Sequence, residues 1–131
     1  MQTSQAIELL KRLIATPSIS RDEAKAADIV EEELRGLGFV PQRKLNNVWA
    51  MALEYDAQKP TILLDAHLDT VKPNAQWTRD PFQPVVEDGK LYGLGSNDTG
   101  GSLVLCWRHL FVCQRASSPT TLFSWLLPRR R

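Results

Sequence analysis

Apolar residues recur at helical spacing near the start of the chain, at Ile7, Leu10, Leu13 and Ile14, and Thr16-Pro17 stops the run. A first helix is predicted there. Ser20-Arg21-Asp22-Glu23 has the pattern of a capping box, in which a Ser hydroxyl and a Glu carboxylate satisfy exposed N–H groups reciprocally. It precedes a second stripe of Ala27, Val30, Leu34 and Leu37, which Gly36 and Gly38 end. The period then changes. Asn47 to Tyr55 reads as a strand, Asp56 to Pro60 as a turn, and Thr61-Ile62-Leu63-Leu64-Asp65-Ala66 as a short apolar run typical of a buried strand. Asp88-Gly89 between Val85-Val86 and Leu91-Tyr92 predicts a two-residue hairpin. Another helix is expected just beyond Gly100-Gly101. Helix, helix, strand, strand and hairpin point to an α/β layer architecture.

With 131 residues, 43% apolar and 24% charged, the composition is that of one globular domain. A net charge of +1 gives no general attraction to nucleic acid or an anionic membrane. No run of about 18 uncharged apolar residues exists, so no spanning helix is expected. Met1-Gln2-Thr3-Ser4 lacks the basic-then-apolar order of a signal peptide. Two cysteines exclude a disulfide scaffold and make a reducing cytoplasm the expected location. The averages conceal a break, however. Residues 1–102 carry 11 basic and 15 acidic residues, a net −4. Residues 103–131 carry five arginines and no Asp, Glu or Lys, together with both cysteines and two of the four tryptophans.

Several residues could carry chemistry. His67-Leu68-Asp69 follows the apolar strand, where α/β proteins tend to place functional groups. Positions two apart on extended backbone point the same way, so Asp69 could orient the imidazole of His67 while its other nitrogen binds a metal. The alternative is a solvated strand end. Asp98 sits in Gly93-Leu94-Gly95-Ser96-Asn97-Asp98-Thr99-Gly100-Gly101, where glycines permit a tight backbone; its plainer reading is a helix N-cap. The loop lacks Gly-Lys-Ser/Thr and a complete GxGxxG, which argues against a nucleotide site. Trp77 and Asp80-Pro81-Phe82 read as loop anchors. Cys106, His109 and Cys113 could share a helical face, but without a fourth partner they make a poor zinc site.

The order of these pieces is more specific than any one of them. Leu63-Leu64-Asp65-Ala66-His67-Leu68-Asp69-Thr70-Val71, then Trp77, Asp80-Pro81-Phe82, Asp88-Gly89-Lys90-Leu91-Tyr92-Gly93 and Asp98-Thr99-Gly100-Gly101 resemble the zinc-dependent deacylase and exopeptidase family. That family includes acetylornithine deacetylase, succinyl-diaminopimelate desuccinylase, aminoacylase and carboxypeptidase G. The likeness runs over about residues 3–104, and Leu91-Tyr92-Gly93-Leu94-Gly95-Ser96-Asn97-Asp98 looks most like the acetylornithine deacetylase type, an activity of arginine biosynthesis. It implies an α/β fold, the N-terminal part of a zinc-peptidase-like catalytic domain with a mixed sheet flanked by helices, without the lid and dimerisation domain. It also implies two zinc or cobalt ions, with His67 binding one, Asp98 bridging both and Asp69 orienting His67. The substrate would be a small N-acyl amino acid, hydrolysed at its amide by metal-activated water with a glutamate moving the proton. Full-length members form homodimers.

The resemblance stops there. Family members carry an acidic pair or triplet, often Ala-Glu-Glu-Glu, and further carboxylate and histidine ligands farther along, whereas no acid follows Asp98 in this chain. With two ligands in place of three plus water, the short chain should bind metal weakly and be inactive. Where the acidic triplet belongs stands Pro128-Arg129-Arg130-Arg131. Read one nucleotide out of frame after a G from Leu127, CCG and AGG codons spell Ala-Glu-Glu-Glu. Permitted codons for Ser118 to Leu127 spell Pro-Tyr-Asn-Leu-Ile-Phe-Leu-Ala-Ser in the same shifted frame. We therefore expect residues 1–104 to be the N-terminal portion of the catalytic domain and 105–131 to be out of frame or atypical, after a one-nucleotide slip near Val104. Competing readings are a non-catalytic interaction module with a basic, apolar tail, and a small metal protein using Cys106, His109, Cys113 and His67.

Overall fold

The computed structural model of the chain describes residues 1–52, 56–113 and 121–127. Helices α1 (Thr3–Ile14) and α2 (Ala24–Gly36) come first, followed by strands β1 (Gln42–Lys44), β2 (Asn47–Met51) and β3 (Thr61–His67). The hairpin β4 (Val85–Glu87) and β5 (Lys90–Tyr92) leads through an irregular helical turn over Ser96–Gly101 into α3 (Ser102–Cys113), and β6 (Thr121–Leu127) closes the order. Among the described residues, no helix is long and apolar enough to cross a membrane.

Both N-terminal helices form where the pattern places them, with two corrections. On α1 the buried residues are Ala6, Leu9, Leu10 and Ile14, whereas Ile7 is 41% exposed. Contacts with both α2 and α3 rotate the buried stripe away from the expected one. The capping box does not form at α2: its N-cap is Glu23, with no side-chain cap bond. Glu23 Oε1 instead accepts the N–H of Arg21 at 2.5 Å, and the Ser20 hydroxyl is engaged elsewhere. The end of α2 follows the sequence closely. Gly38, at φ 88°, donates its N–H to Arg35 O, and Phe39 donates to Leu34 O, a Schellman ending that needs a left-handed residue.

The main sheet is mixed, in the order β1-β2-β6-β3. β1 and β2 are antiparallel, β2 and β6 antiparallel, and β6 runs parallel to β3 from Thr61↔Thr121 to His67↔Leu127. Helix α2 packs on β2, and α3 packs on β3 and β6, so the mixed sheet is flanked by helices as the resemblance implies. Expected as a buried strand, β3 lies at the sheet edge, with Ile62 47% and Leu63 54% exposed. Among the described residues only one of its edges is paired, and Ala66 alone within it is buried. β2 is shorter than the expected strand, ending at Met51; Leu53 to Tyr55 lie outside the described residues. The β4–β5 hairpin turns through Asp88 (φ 50°) and Gly89 (φ 72°), the two left-handed residues of a type I′ turn.

One core joins these elements, with Leu9, Val30, Leu34, Val48, Leu103, Trp107 and Leu110 almost fully buried. Leu103 and Val104, ahead of the expected slip, lie in this core beside Trp107 and Leu110, which follow it, so α3 packs continuously across that point.

Candidate metal centre

His67 is the last residue of β3, and the chain continues extended beyond it. Thr70 forms a parallel bridge with Ile19, and its N–H donates to Ser18 O at 2.8 Å. The buried Ser18 hydroxyl donates to Leu68 O at 3.0 Å. The segment between α1 and α2 thus clasps the residues that follow β3.

Asp69 is 6% exposed. Its Oδ2 accepts the Ser20 hydroxyl at 2.5 Å, while its buried Oδ1 has no hydrogen-bond partner among the described residues and lies 3.3 Å from His67 Nδ1. The shorter contact to Nδ1 is the main-chain oxygen of Asp69, at 2.9 Å. Asp69 therefore meets the imidazole with two acceptors, the nearer on its backbone rather than on the carboxylate that the sequence suggests.

Asp98 comes from the other side. The 93–101 loop can approach because its glycines leave room: a Cβ on Gly93 would sit 2.3 Å from Ile14 Cγ2, and one on Gly95 would sit 2.8 Å from Thr70 Cγ2. Gly95 also has φ 79°, where a side chain would be strained. Pro81 O accepts the Leu94 N–H at 2.7 Å, which ties the Asp80-Pro81-Phe82 run to this loop. The Asp98–Thr99 peptide is cis. Asp98 is four residues ahead of α3 rather than its N-cap, and its Oδ1 lies 3.0 Å from His67 Nε2. His67, Asp69 and Asp98 line one cavity of about 240 Å³, together with Trp77, Ser96 and Asn97.

The chemistry of this contact is directional. The atoms nearest Nδ1 are acceptors, so a neutral imidazole carries its hydrogen there. Nε2 then presents a lone pair to a carboxylate oxygen at 3.0 Å. Two electron-rich atoms at that separation call for a positive group between them, either a proton or a metal ion. One imidazole nitrogen and one carboxylate oxygen suit zinc or cobalt. Among the described residues, no group of three His, Cys, Asp or Glu side chains could hold a metal. The donors present thus fit part of a catalytic centre, which generally uses three protein ligands and a water.

Cys106 and His109 line a different cavity, of about 440 Å³, with Leu64, Leu105, Arg108 and Val112. Burial pushes the Cys106 thiol up, and Asp65 adds to the effect, which disfavours the thiolate that binds metal. The side chain of Cys113 lies outside the described residues. The alternative set with His67 is therefore not brought together among the described residues. Ser18, Ser20 and Thr70 are absent from the sequence reading of the site. The one signal at Ser20 was a capping pattern, which pointed elsewhere.

Residues 63–122 match the family model for peptidase family M20/M25/M40. Over 106 residues the chain is 41% identical to succinyl-diaminopimelate desuccinylase of Alkalilimnicola ehrlichii, covering 76% of this chain and 28% of that protein. In fold it is similar to the M20 family metallo-carboxypeptidase Sso-CP2 of Sulfolobus solfataricus, with a TM-score of 0.80 at 20% identity, covering 97% of this chain and 31% of that one. It is also similar to the Bacillus subtilis YXEP protein, a dinuclear metal binding peptidase, with a TM-score of 0.68 at 20% identity over 95% of this chain and 35% of that one. The chain thus spans about a third or less of the proteins it resembles.

Proposed function

We infer that this chain is the N-terminal portion of a metal-dependent hydrolase of the M20/M25/M40 peptidase family, one that cleaves the amide of an N-acyl amino acid. The observation that carries this reading is the convergence of His67 Nε2 and Asp98 Oδ1 to 3.0 Å, with Asp69 behind the ring. His67 and Asp98 would hold zinc or cobalt, and Asp69 would keep the imidazole turned toward it. A divalent ion bound there supplies the charge that polarises an amide carbonyl and acidifies an attacking water. The residues of this chain provide the neutral nitrogen, the anionic oxygen and the fixed ring orientation. The relative's name favours a succinyl-amino acid, whereas the Leu91–Asp98 wording favours an acetylated one; both present the same amide.

With two donors the chain by itself would bind metal weakly and not turn over substrate. For residues 105–131 we propose a reading-frame slip near Val104. Two features support this: the absence of acids there, and β6, which leaves the sheet at Leu127 opposite His67, beside the metal residues.

Calorimetric titration with zinc and cobalt tests the centre. Weak binding is expected, and loss of either donor, in His67→Ala or Asp98→Ala, should lower affinity at least about tenfold, the equivalent of roughly 1.4 kcal/mol. Binding unchanged in both variants would remove the metal reading. Hydrolysis of N-acetylornithine or N-succinyl-diaminopimelate by the chain alone would overturn its inactivity.

A further inference from the structure

We propose that Ser20 is a positioning residue of this centre: its hydroxyl holds Oδ2 of Asp69 and so keeps Asp69 turned to His67 Nδ1, leaving Nε2 bare toward Asp98. The inference rests on the metal reading above but is read out separately from it.

Asp69 is buried and, among the described residues, its Oδ1 lacks a hydrogen bond, so there the Ser20 hydroxyl, at 2.5 Å, is the one hydrogen bond to its carboxylate. Without it, both oxygens of a buried carboxylate lack a donor, and rotation toward any other donor becomes favourable. That rotation would take Oδ1 from its place 3.3 Å from Nδ1. The imidazole would keep the main-chain acceptor at 2.9 Å but lose the second one, and with it part of the preference for hydrogen on Nδ1. A hydrogen on Nε2 occupies the lone pair a metal needs.

Ser20 is well placed for this because its backbone is fixed from both sides. Ahead of it, Ile19 bridges Thr70 and Ser18 bonds Leu68 and Thr70. Behind it, Arg21 adopts φ 82° and Asp22 N–H donates to Ile19 O at 2.7 Å, closing a turn. Glu23, 2% exposed, locks that turn: Oε1 accepts the Arg21 N–H, and Oε2 accepts Asn46 Nδ2 at 3.0 Å. These contacts do not use the Ser20 hydroxyl, so removing it should leave the clasp standing. The Ser20 residue itself is exposed, which leaves room for the methyl of threonine.

The test uses the full chain as wild type, Ser20→Ala and Ser20→Thr. Long-range ¹H–¹⁵N spectra, taken without metal well above the ordinary imidazole range, report the tautomer of His67; substitution of His109 assigns the two rings. Wild type and Ser20→Thr should hold the Nδ1–H form, and Ser20→Ala should show a mixture. Zinc affinity should fall roughly tenfold in Ser20→Ala, as for other groups that orient a ligand, and return in Ser20→Thr. An unchanged tautomer in Ser20→Ala overturns the proposal, as does a shift that threonine fails to reverse. If wild type binds no zinc, the metal reading fails and the tautomer comparison still decides the role of Ser20.

Discussion

A single methyl group added at two glycines should have opposite effects. Gly100 lies in the turn before α3, where its N–H donates to Gly95 O at 2.9 Å. A Cβ there would sit 2.6 Å from Leu10 Cδ1 and 2.7 Å from Gly95 O. Leu10 can shift at some cost in the core, but the carbonyl cannot recede without stretching the hydrogen bond that shapes the loop. Overpacking of this kind costs about 1–3 kcal/mol. Replacing Gly by Ala also stabilises by about 0.4–1 kcal/mol, because the unfolded chain loses freedom. The clash is the larger effect, so Gly100→Ala should lose about 1–2 kcal/mol. At Gly36, the last residue of α2, none of the described residues places an atom within 4 Å of the same methyl. Only the entropic gain and the better helix propensity remain there, so Gly36→Ala should gain up to about 1 kcal/mol. Urea unfolding followed by tryptophan fluorescence measures both, and with a slope of about 2 kcal/mol per molar, the middle of the usual range, the Gly100→Ala midpoint should drop by roughly 0.5–1 M. A Gly100→Ala midpoint equal to or above wild type would refute the close approach of this loop to α1.

Trp107 is fully buried, and among the described residues its indole Nε1 has no hydrogen-bond partner. Trp107→Ala should cost about 3–5 kcal/mol through the cavity it leaves. Trp107→Phe should cost far less, because it also removes an unpaired N–H whose burial costs about 1–3 kcal/mol; equal losses by urea unfolding would mean the indole is satisfied. The nucleotide sequence across codons 100–131 should stay open in the neighbouring frame through three glutamate codons and well beyond; an early stop there would remove the proposed slip.

What the sequence made legible was local. Gly38 and the Asp88-Gly89 pair need left-handed backbone, and that requirement is written in the residues themselves, so the end of α2 and the β4–β5 hairpin stand where expected. β1 was not foreseen, because Gln42-Arg43-Lys44 has no apolar alternation and is a strand only through pairing with β2. The exposure of Ile62 and Leu63 depends on sheet order, which no spacing within β3 encodes. At the site, His67 and Asp98 could be named from motif order, but their approach to 3.0 Å depends on Gly93 and Gly95 packing against Ile14 and Thr70. Ser20 reads in the sequence as a helix cap, because its actual partner, Asp69, is 49 residues away.

The position of β6 between β2 and β3 also sets the order in which the sheet can be assembled. The two strands that flank it are made early, yet neither pairs with the other; both pair with residues 121–127. During synthesis the inner edges of β2 and β3 therefore stay open until residues 121–127 have been made, and the closing contact joins Thr61 to Thr121. Long-range parallel pairing of this kind is slow, since the intervening chain must be ordered before the ladder rewards it. A nascent chain with Ile62 and Leu63 on an unpaired strand is open to pairing with a neighbour during that wait. β6 acts as the latch of this sheet, and folding yield at high expression should be governed by the time before it arrives.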